Sequence, residues 1–354
     1  MKTLRNSLAV LSTLTLLGSL SQASVLQLGE DAQLHVLGDL QYVYEDNLFL
    51  LQNNEVSDRY LVFSPGLELR MAQEGTLSAV LRYQHSFTRY RDFDSLNGDY
   101  SDLSVKARYN SGVVLASAYL DYEELYTSLR DVALAVGGPV EREEIGAGGN
   151  LRYEISELTA FRIGVDYDEV DYELDRYTDY DSLSVPLTFF YKVRPKVDLT
   201  GGLRYRNTNT TGPFDYEDLY YFVGAVGELF SPVVFADVSI GFQERDYDGA
   251  ATDASSASYD ITFIYTGDHK ATVYAGLSRD YRTSAVGGTA YAFSSASIGA
   301  RYDVTDKVGL NAALVIGESE YEESPRAEDM TILTFGASYQ PNDYLTLQAS
   351  YEYT

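Results

Sequence analysis

Residues 41–70 read QYVYEDNLFLLQNNEVSDRYLVFSPGLELR, and this stretch decides the fold. Two runs of alternating apolar and polar residues flank an acidic, asparagine-rich segment that begins at Asp46 and ends at Asp58. Alternation with a period of two is typical of a β-strand that has one apolar and one polar environment. Two such runs around a turn-forming segment predict a β-hairpin.

Runs of the same kind recur along the rest of the chain, about seventeen of them between residues 34 and 353. Most are near the length of about 9–11 residues that a tilted strand needs to cross a bilayer. Short turns such as 194–196 alternate with longer, mostly acidic connections such as 92–99, which is the asymmetry of outer-membrane barrels. The sequence therefore predicts an all-β protein, a transmembrane antiparallel up-and-down β-barrel of about 16–18 strands.

The strand count carries a further expectation. Bacterial single-chain barrels have an even number of strands, so seventeen visible strands predict that the barrel has eighteen and that the sequence stops one strand short. If the chain ends at Thr354, sixteen strands are favoured instead.

The first 23 residues have the features of a secretory signal peptide. Lys2 and Arg5 precede an apolar run over residues 8–20, and the small residues Ser21 and Ala23 follow it, which predicts cleavage after Ala23. The apolar run is too short and too rich in Ser and Thr for a transmembrane helix. Residues 24–354 contain no linker or shift of composition, so they are predicted to form one barrel domain in the cell outer membrane.

Composition excludes several classes of function. The net charge of −27 argues against nucleic acid as a partner, and the absence of Cys excludes disulfides and lipid attachment at a cysteine. The histidines, His35, His85 and His269, have no nearby Ser or Asp in a nucleophilic pattern, so an enzyme is not expected. No pattern suggests a cofactor, and the acidic clusters lack the spacing of a calcium loop, so no metal site is expected.

Alternation also assigns the strand faces. Arg-Tyr pairs such as Arg82-Tyr83 and Arg204-Tyr205 place Tyr on the apolar phase, where an aromatic girdle would lie, and Arg on the polar phase. Charged residues of the polar phase either set the selectivity of a pore or pair across strands and only keep the interior polar. The candidates for lining the pore are Arg70, Arg82, Lys106, Arg108, Arg152, Arg162, Asp166, Arg204, Arg206, Asp237 and Arg301.

The first hairpin carries a more specific resemblance. Its signature residues are Tyr44, Asp46, Asn47, Ser57, Asp58, Pro65 and Gly66. They resemble the start of the outer-membrane β-barrel porins found beside exopolysaccharide-synthesis genes in Gram-negative bacteria. The resemblance implies a pore that assists export of an extracellular or capsular polysaccharide. The partners it implies are outer-membrane lipid, lipopolysaccharide, the polysaccharide and a periplasmic export protein.

Two other functions are compatible with the predicted barrel. One is a general or solute-specific diffusion porin, whose lumen could be plugged by the longest connection, residues 127–143. The other is a non-conducting structural or adhesive barrel whose acidic loops act at the cell surface.

Overall fold

The computed structural model describes residues 12–49, 53–73, 75–128, 139–249, 253–267, 270–283, 291–321 and 327–354. These residues form one sheet of eighteen antiparallel strands. The strands are β1 (Ser12–Leu28), β2 (Ala32–Glu45), β3 (Asp58–Met71), β4 (Leu77–Tyr90), β5 (Gly98–Asn110), β6 (Val114–Ser128), β7 (Pro139–Glu154), β8 (Thr159–Tyr172), β9 (Tyr180–Arg194), β10 (Val197–Thr210), β11 (Tyr216–Ser231), β12 (Val234–Tyr247), β13 (Ala254–Thr266), β14 (Ala271–Arg282), β15 (Tyr291–Thr305), β16 (Val308–Tyr321), β17 (Ala327–Asn342) and β18 (Leu345–Tyr353).

The sheet closes into an up-and-down barrel. Each strand pairs with its neighbours in sequence, and β1 also pairs with β18, with Leu20 opposite Leu345. The predicted fold class is confirmed, and the strands expected from the sequence correspond to β2–β18. Closure leaves no edge strand whose backbone groups would lack partners in a membrane.

The first strand differs from the sequence prediction, which assigns residues 1–23 to a signal peptide. In the structure, residues 12–28 pair with both β2 and β18, and they occupy the position expected for a strand beyond residue 354. The segment contains no proline and no charged residue, so nothing in its sequence opposes a strand between two partners. Cleavage after Ala23 stays a prediction, and it would remove most of β1.

The two ends of the barrel differ in their connections. At one end, the short-turn end, two residues join β9 to β10, and two join β15 to β16. At the other end, the long-loop end, residues 46–57 join β2 to β3, and residues 91–97 join β4 to β5 through a short 3-10 helix, Asp94–Leu96. Among the described residues, no helix has the length and hydropathy that spanning a membrane requires.

Both ends of the predicted loop 127–143 are strand. β6 extends to Ser128 and β7 begins at Pro139, because the flanking residues pair in register, with Glu124 opposite Glu143 and Leu125 opposite Arg142. The predicted bounds of the loop are therefore wrong at both ends, and the prediction that this connection could plug the lumen concerns residues 129–138. Residues 129–138 lie outside the described residues.

The outer and inner faces differ in polarity, as the alternation predicts. Large apolar side chains stand exposed on the outer face, among them Leu61, Phe63, Leu187, Phe189, Ile240 and Phe335. The inner face is polar. Because the closed sheet curves inward on this side, side chains can contact residues on strands that are not their neighbours. For example, the guanidinium of Arg152 on β7 donates to the carboxylate of Asp198 on β10 over 3.4 Å.

Candidate functional site

The strand register places every predicted lining residue on the inner face of the barrel. These residues are Arg70, Arg82, Lys106, Arg108, Arg152, Arg162, Asp166, Arg204, Arg206, Asp237 and Arg301. They do not form one cluster. Asp166, Arg204 and Arg206 border one cavity, while Arg152, Arg162 and Asp237 border a second.

Most of the remaining lining candidates pair with near neighbours. The pairs are Arg70 with Glu68 at 2.5 Å, Arg82 with Gln84 at 3.0 Å, Arg301 with Asp303 at 3.1 Å and Lys106 with Asp121 at 3.9 Å. In each of the first three pairs, the residues are two apart on one strand, so both side chains point to the same face. A carboxylate on the same strand therefore neutralises Arg70 and Arg301, while the Arg82 guanidinium donates to the neutral amide of Gln84.

The larger cavity, here the upper cavity, has a volume of about 1040 Å³ and lies between β6–β10 and β13–β15. Its β6–β8 side is a carboxylate wall made of Asp121, Glu123, Glu144, Asp166 and Asp168. Glu123 and Glu144 are direct cross-strand partners. Arg142 pairs with Glu144 at 2.6 Å and Lys106 lies 3.9 Å from Asp121, so the five carboxylates leave this wall with a net negative charge toward the cavity.

Glycines on β7 make room for the carboxylate wall. Gly148 is opposite Asp166, and a Cβ atom at Gly148 would lie 2.7 Å from the Asp166 carboxylate and 2.8 Å from the ring of Tyr119. The Tyr119 hydroxyl donates to that carboxylate over 3.0 Å across the glycine. Any side chain at Gly148 would push these two groups into the lumen.

The opposite side of the upper cavity carries a strap of ion pairs that reaches from β10 to β14. Arg204 donates to the Asp280 carboxylate over 2.9 Å, and Arg206 lies 3.6 Å from the same carboxylate. Arg206 also donates to the backbone carbonyl of Tyr281 over 3.0 Å. This Arg–Asp strap covers the inner side of β11–β13, because it joins strands that are four places apart.

A buried ion pair lies under the Arg–Asp strap. Arg245 makes a bidentate contact with Asp218 at 2.6 and 2.7 Å, and Arg206 approaches the same carboxylate to 2.6 Å. The side chains of Arg245 and Asp218 are 0% and 1% exposed. The Arg245 guanidinium also stacks 3.8 Å from the ring centre of Tyr216. Sequence reasoning missed Asp218 and Arg245, which lie opposite each other on the neighbouring strands β11 and β12, because alternation alone does not give the register between two strands.

The smaller cavity, here the lower cavity, has a volume of about 480 Å³ and lies against the inner side of β7–β13. Arg152 and Arg162 stack on the ring of Phe190, 4.2 and 5.3 Å from its centre. Asp260 borders both the upper and the lower cavity, so the two adjoin at this residue. The rest of the lining includes Phe222, Phe235, Asp237, Ser239, Thr188, Thr200 and Thr262.

Aromatic residues bridge the lumen near the long-loop end. Val140 of β7 and Tyr177 of the β8–β9 connection form one cluster with Tyr291, Phe293 and Tyr321 of β15 and β16. In a ring of eighteen strands, β7 and β16 lie on opposite sides, so this mouth cluster crosses the lumen. The Tyr177 hydroxyl is buried without a hydrogen-bond partner among the described residues.

No signature residue of the first hairpin lines either cavity; Tyr44, Asp46, Asn47, Ser57 and Asp58 lie at the long-loop end, whereas Pro65 and Gly66 lie in the middle of β3. The Asp58 carboxylate accepts the backbone N–H groups of Asp92 and Phe93 at 3.2–3.3 Å, which fixes the neighbouring loop. Asn47 is fully buried. Gly66 has no room for a Cβ atom, because the Gln84 side chain would lie 2.5 Å from it. These positions are structural in this barrel.

Of the three histidines, two are described. His35 on β2 is buried on the inner face, and neither of its ring nitrogens has a partner among the described residues. His85 on β4 lies on the outer face beside Ser101 and stacks edge-on with Phe87. His269 lies outside the described residues. The described part of the chain contains no group of three or more His, Cys, Asp or Glu arranged to hold a metal ion.

The last strands match a known family. Residues 222–354, from the middle of β11 to the end of the sequence, match the family model described as "Putative beta-barrel porin 2". Residues 222–354 are therefore similar to this porin family. The matched porin segment lies at the other end of the chain from the signature of the first hairpin. No curated protein sequence matches the chain.

Solved structures support the same architecture. A point mutant of the ferric enterobactin receptor PfeA of Pseudomonas aeruginosa matches with a TM-score of 0.51 and 9% identity over 98% of this chain and 80% of that chain. A second point mutant of that receptor, in complex with enterobactin, matches with a TM-score of 0.50 and 9% identity over 98% of this chain and 81% of that one. At this identity the likeness shows the fold alone. The chain has the fold of an outer-membrane β-barrel of the porin or transporter type.

Proposed function

We propose that this barrel is an outer-membrane pore that assists the export of an extracellular or capsular polysaccharide. The observation that carries the proposal is the pair of adjoining cavities inside the barrel, about 1040 and 480 Å³, which meet at Asp260. A ring of eighteen strands encloses more space than its own side chains can fill. The signature of the first hairpin supplies the polysaccharide as the cargo.

The lining of the cavities suits a hydrated, hydroxyl-rich chain. Ser and Thr hydroxyls, carboxylates and guanidinium groups offer hydrogen-bond donors and acceptors along the wall, so a sugar chain can exchange one set of hydrogen bonds for the next as it moves. Transport asks for binding sites that are many and weak, and a wet polar wall provides them. We infer transport and not catalysis as the role of these charged groups.

The mouth cluster requires a movable gate. Tyr177 packs against Tyr291 and Phe293 across the lumen, so a polymer passes only when the β8–β9 connection moves aside. In this proposal, a periplasmic export protein or the polymer itself shifts that equilibrium, and lipopolysaccharide surrounds the long-loop end. Differential affinity for the open state is what would drive such a shift.

A second candidate is a diffusion porin for small solutes. The observation that favours it is the size of the upper cavity, about 1040 Å³, which lies just above the range of about 300–1,000 Å³ typical of small-molecule sites. The two candidates differ in what blocks the pore.

Two measurements test the proposal. In planar bilayers, we expect the purified protein to conduct, and the host's exopolysaccharide to block the current from the periplasmic side. In cells, we expect deletion of the gene to lower the amount of exopolysaccharide in the medium. Current that the polymer does not affect, together with unchanged secretion, would favour the diffusion porin. A barrel that stays closed even after the mouth cluster is disrupted would contradict both candidates.

A further inference from the structure

Phenylalanine rings face the lower cavity, which is unusual for the polar lining of a water-filled lumen. Phe235 lies on the inner face, opposite Ile264, and its side chain is 44% exposed. Phe222 faces the same cavity, and its ring packs over Gly202, where a Cβ atom would lie 2.8 Å from the ring. These two rings give the cavity an apolar surface on which a ligand can pack.

Charged groups without partners surround these rings. Arg162 makes no hydrogen bond or ion pair with the described residues, and its stacking on Phe190 holds the guanidinium at the cavity wall. The carboxylates of Asp237 and Asp260 also have no hydrogen-bond or ion-pair partner among the described residues. The Arg152 guanidinium, by contrast, is neutralised by Glu154 at 2.8 Å and Asp198 at 3.4 Å.

The register brings these groups to one patch of wall. Asp237 lies opposite Thr262, and Ser239 lies opposite Asp260, on the neighbouring strands β12 and β13. Arg162 lies opposite Thr188 on β9. The cavity therefore presents aromatic rings, one free donor group, two free carboxylates and several hydroxyls around a volume of about 480 Å³.

We propose that the lower cavity is a binding site for a neutral sugar chain, a proposal that rests on the proposed export function and locates its sugar-binding site. A pyranose ring has an apolar C–H face that can lie on Phe235 or Phe222, and hydroxyls that can both donate to Asp237 and Asp260 and accept from Arg162. Few other ligands use all of these groups together. The volume lies within the range of about 300–1,000 Å³ of small-ligand sites.

The charges decide the class of sugar. With Arg152 neutralised, one free cation faces two free carboxylates, so the site has no surplus positive charge for uronic acids or phosphorylated sugars. The carboxylate wall of the upper cavity adds to the repulsion of a polyanion. The site therefore favours a neutral chain over an acidic one.

The test is isothermal titration calorimetry on the full barrel, refolded in lauryldimethylamine oxide, whose headgroup carries no sugar. The probes are three neutral hexasaccharides, cellohexaose, maltohexaose and isomaltohexaose, with hexagalacturonate as the acidic comparison. We expect at least one neutral probe to bind and hexagalacturonate to bind more weakly. No binding by any of the three neutral probes would overturn the proposal.

Variants locate the binding in the lower cavity. We expect Phe235→Ala and Asp237→Asn each to weaken binding about tenfold, which corresponds to a loss of about 1.4 kcal/mol. The matched controls are Tyr274→Ala and Asp303→Asn, which change an aromatic and a carboxylate elsewhere on the inner face and should leave binding unchanged. Heat-modifiable migration on gels confirms that each variant is folded. Equal binding by wild type and both cavity variants would overturn the proposal.

Failure of this proposal can be told apart from failure of the proposed function. If deletion of the gene lowers secretion while Phe235→Ala and Asp237→Asn neither bind sugar more weakly nor secrete less, export stands and the site does not. If sugar binding follows the variants while deletion leaves secretion unchanged, the site stands and export does not.

Discussion

The two walls of the upper cavity are built from the same kinds of charged residue and differ in what those residues contact. On β6–β8, two cations approach the five carboxylates of the wall: Arg142 donates to Glu144 over 2.6 Å, and Lys106 lies 3.9 Å from Asp121. On β10–β14, each charge of the Arg–Asp strap contacts an opposite one, and Asp218 beneath it is almost fully buried. The first wall is available to a passing solute, while the second is committed to holding strands together.

Because the charges under the strap are buried and those of the carboxylate wall are exposed, the loss of a partner should cost the two groups different amounts of folding free energy. A buried carboxylate that loses its cations, or a buried cation that loses its carboxylate, is left without water to replace the partner. An exposed carboxylate loses little when a neighbour is removed. Charges of the strap should therefore control stability, and charges of the carboxylate wall should control what passes.

Replacement of Asp218 tests this contrast with the largest expected effect. Asp218→Ala leaves Arg245 buried without its bidentate partner, so we expect a loss of about 3–5 kcal/mol in the free energy of unfolding. Urea unfolding of the barrel in lipid vesicles measures it. Glu217→Ala, one residue away on the exposed outer face, is the control and should change stability little. A small loss for Asp218→Ala would show that the strap is not structural.

Disrupting the mouth cluster by mutation should have the next largest effect, which is an increase in conductance. Tyr177→Ala removes the ring that joins the β8–β9 connection to β15 and β16, so we expect larger or more frequent single-channel openings. Tyr302→Ala, which removes a ring of the same size from the outer face, is the control. If Tyr177→Ala conducts like the wild type, the mouth cluster does not gate the pore.

Neutralising the carboxylate wall should change selectivity and leave stability nearly unchanged. We expect the triple variant Asp121→Asn, Asp166→Asn, Asp168→Asn to lower the permeability of K⁺ relative to Cl⁻, because it removes three negative charges from the lumen. Reversal potentials in a KCl gradient measure this ratio. The triple variant Glu217→Gln, Glu244→Gln, Asp246→Asn removes the same charge from the outer face, and its ratio should stay at the wild-type value.

The smallest effect is expected at Arg301. Its ion pair with Asp303 joins the same residue types as the ion pairs of the strap, but it is exposed. The two side chains are 66% and 42% exposed, and the distance is 3.1 Å. We expect Arg301→Gln to cost less than about 1 kcal/mol in urea unfolding. A loss as large as that of Asp218→Ala would mean that burial is not what separates the two groups.

Local patterns in the sequence predict most of the barrel. Alternation locates β2–β18 and assigns the inner face, because apolar residues of each strand face lipid and polar residues face the lumen. The inner positions of Arg152, Arg204 and Asp237 follow from that alternation alone. Proline has no backbone N–H to donate, and Pro186 lies where β8 and β9 lose their pairing, between the partners Ile163–Leu187 and Asp166–Ser184.

Features that join distant strands could not be predicted in the same way. The Arg204–Asp280 contact and the mouth cluster depend on how the ring curves, and no local pattern records curvature. Residues 12–28 show a different difficulty, since an apolar segment without charges suits both a signal peptide and a strand. Mass spectrometry of the protein extracted from outer membranes would show whether residues 12–23 are cleaved off with a signal peptide or retained as part of β1.

The Arg–Asp strap has a consequence for the order of assembly. Arg204 and Asp280 are 76 residues apart, whereas partners in adjacent hairpins are much closer along the chain. The loop that the strap closes is ordered only once β11, β12 and β13 are in place, so the strap forms late in folding. An interaction absent from the transition state acts on the rate of unfolding and leaves the rate of folding unchanged. The strap therefore works as a latch that lengthens the lifetime of the finished barrel and does not help to build it.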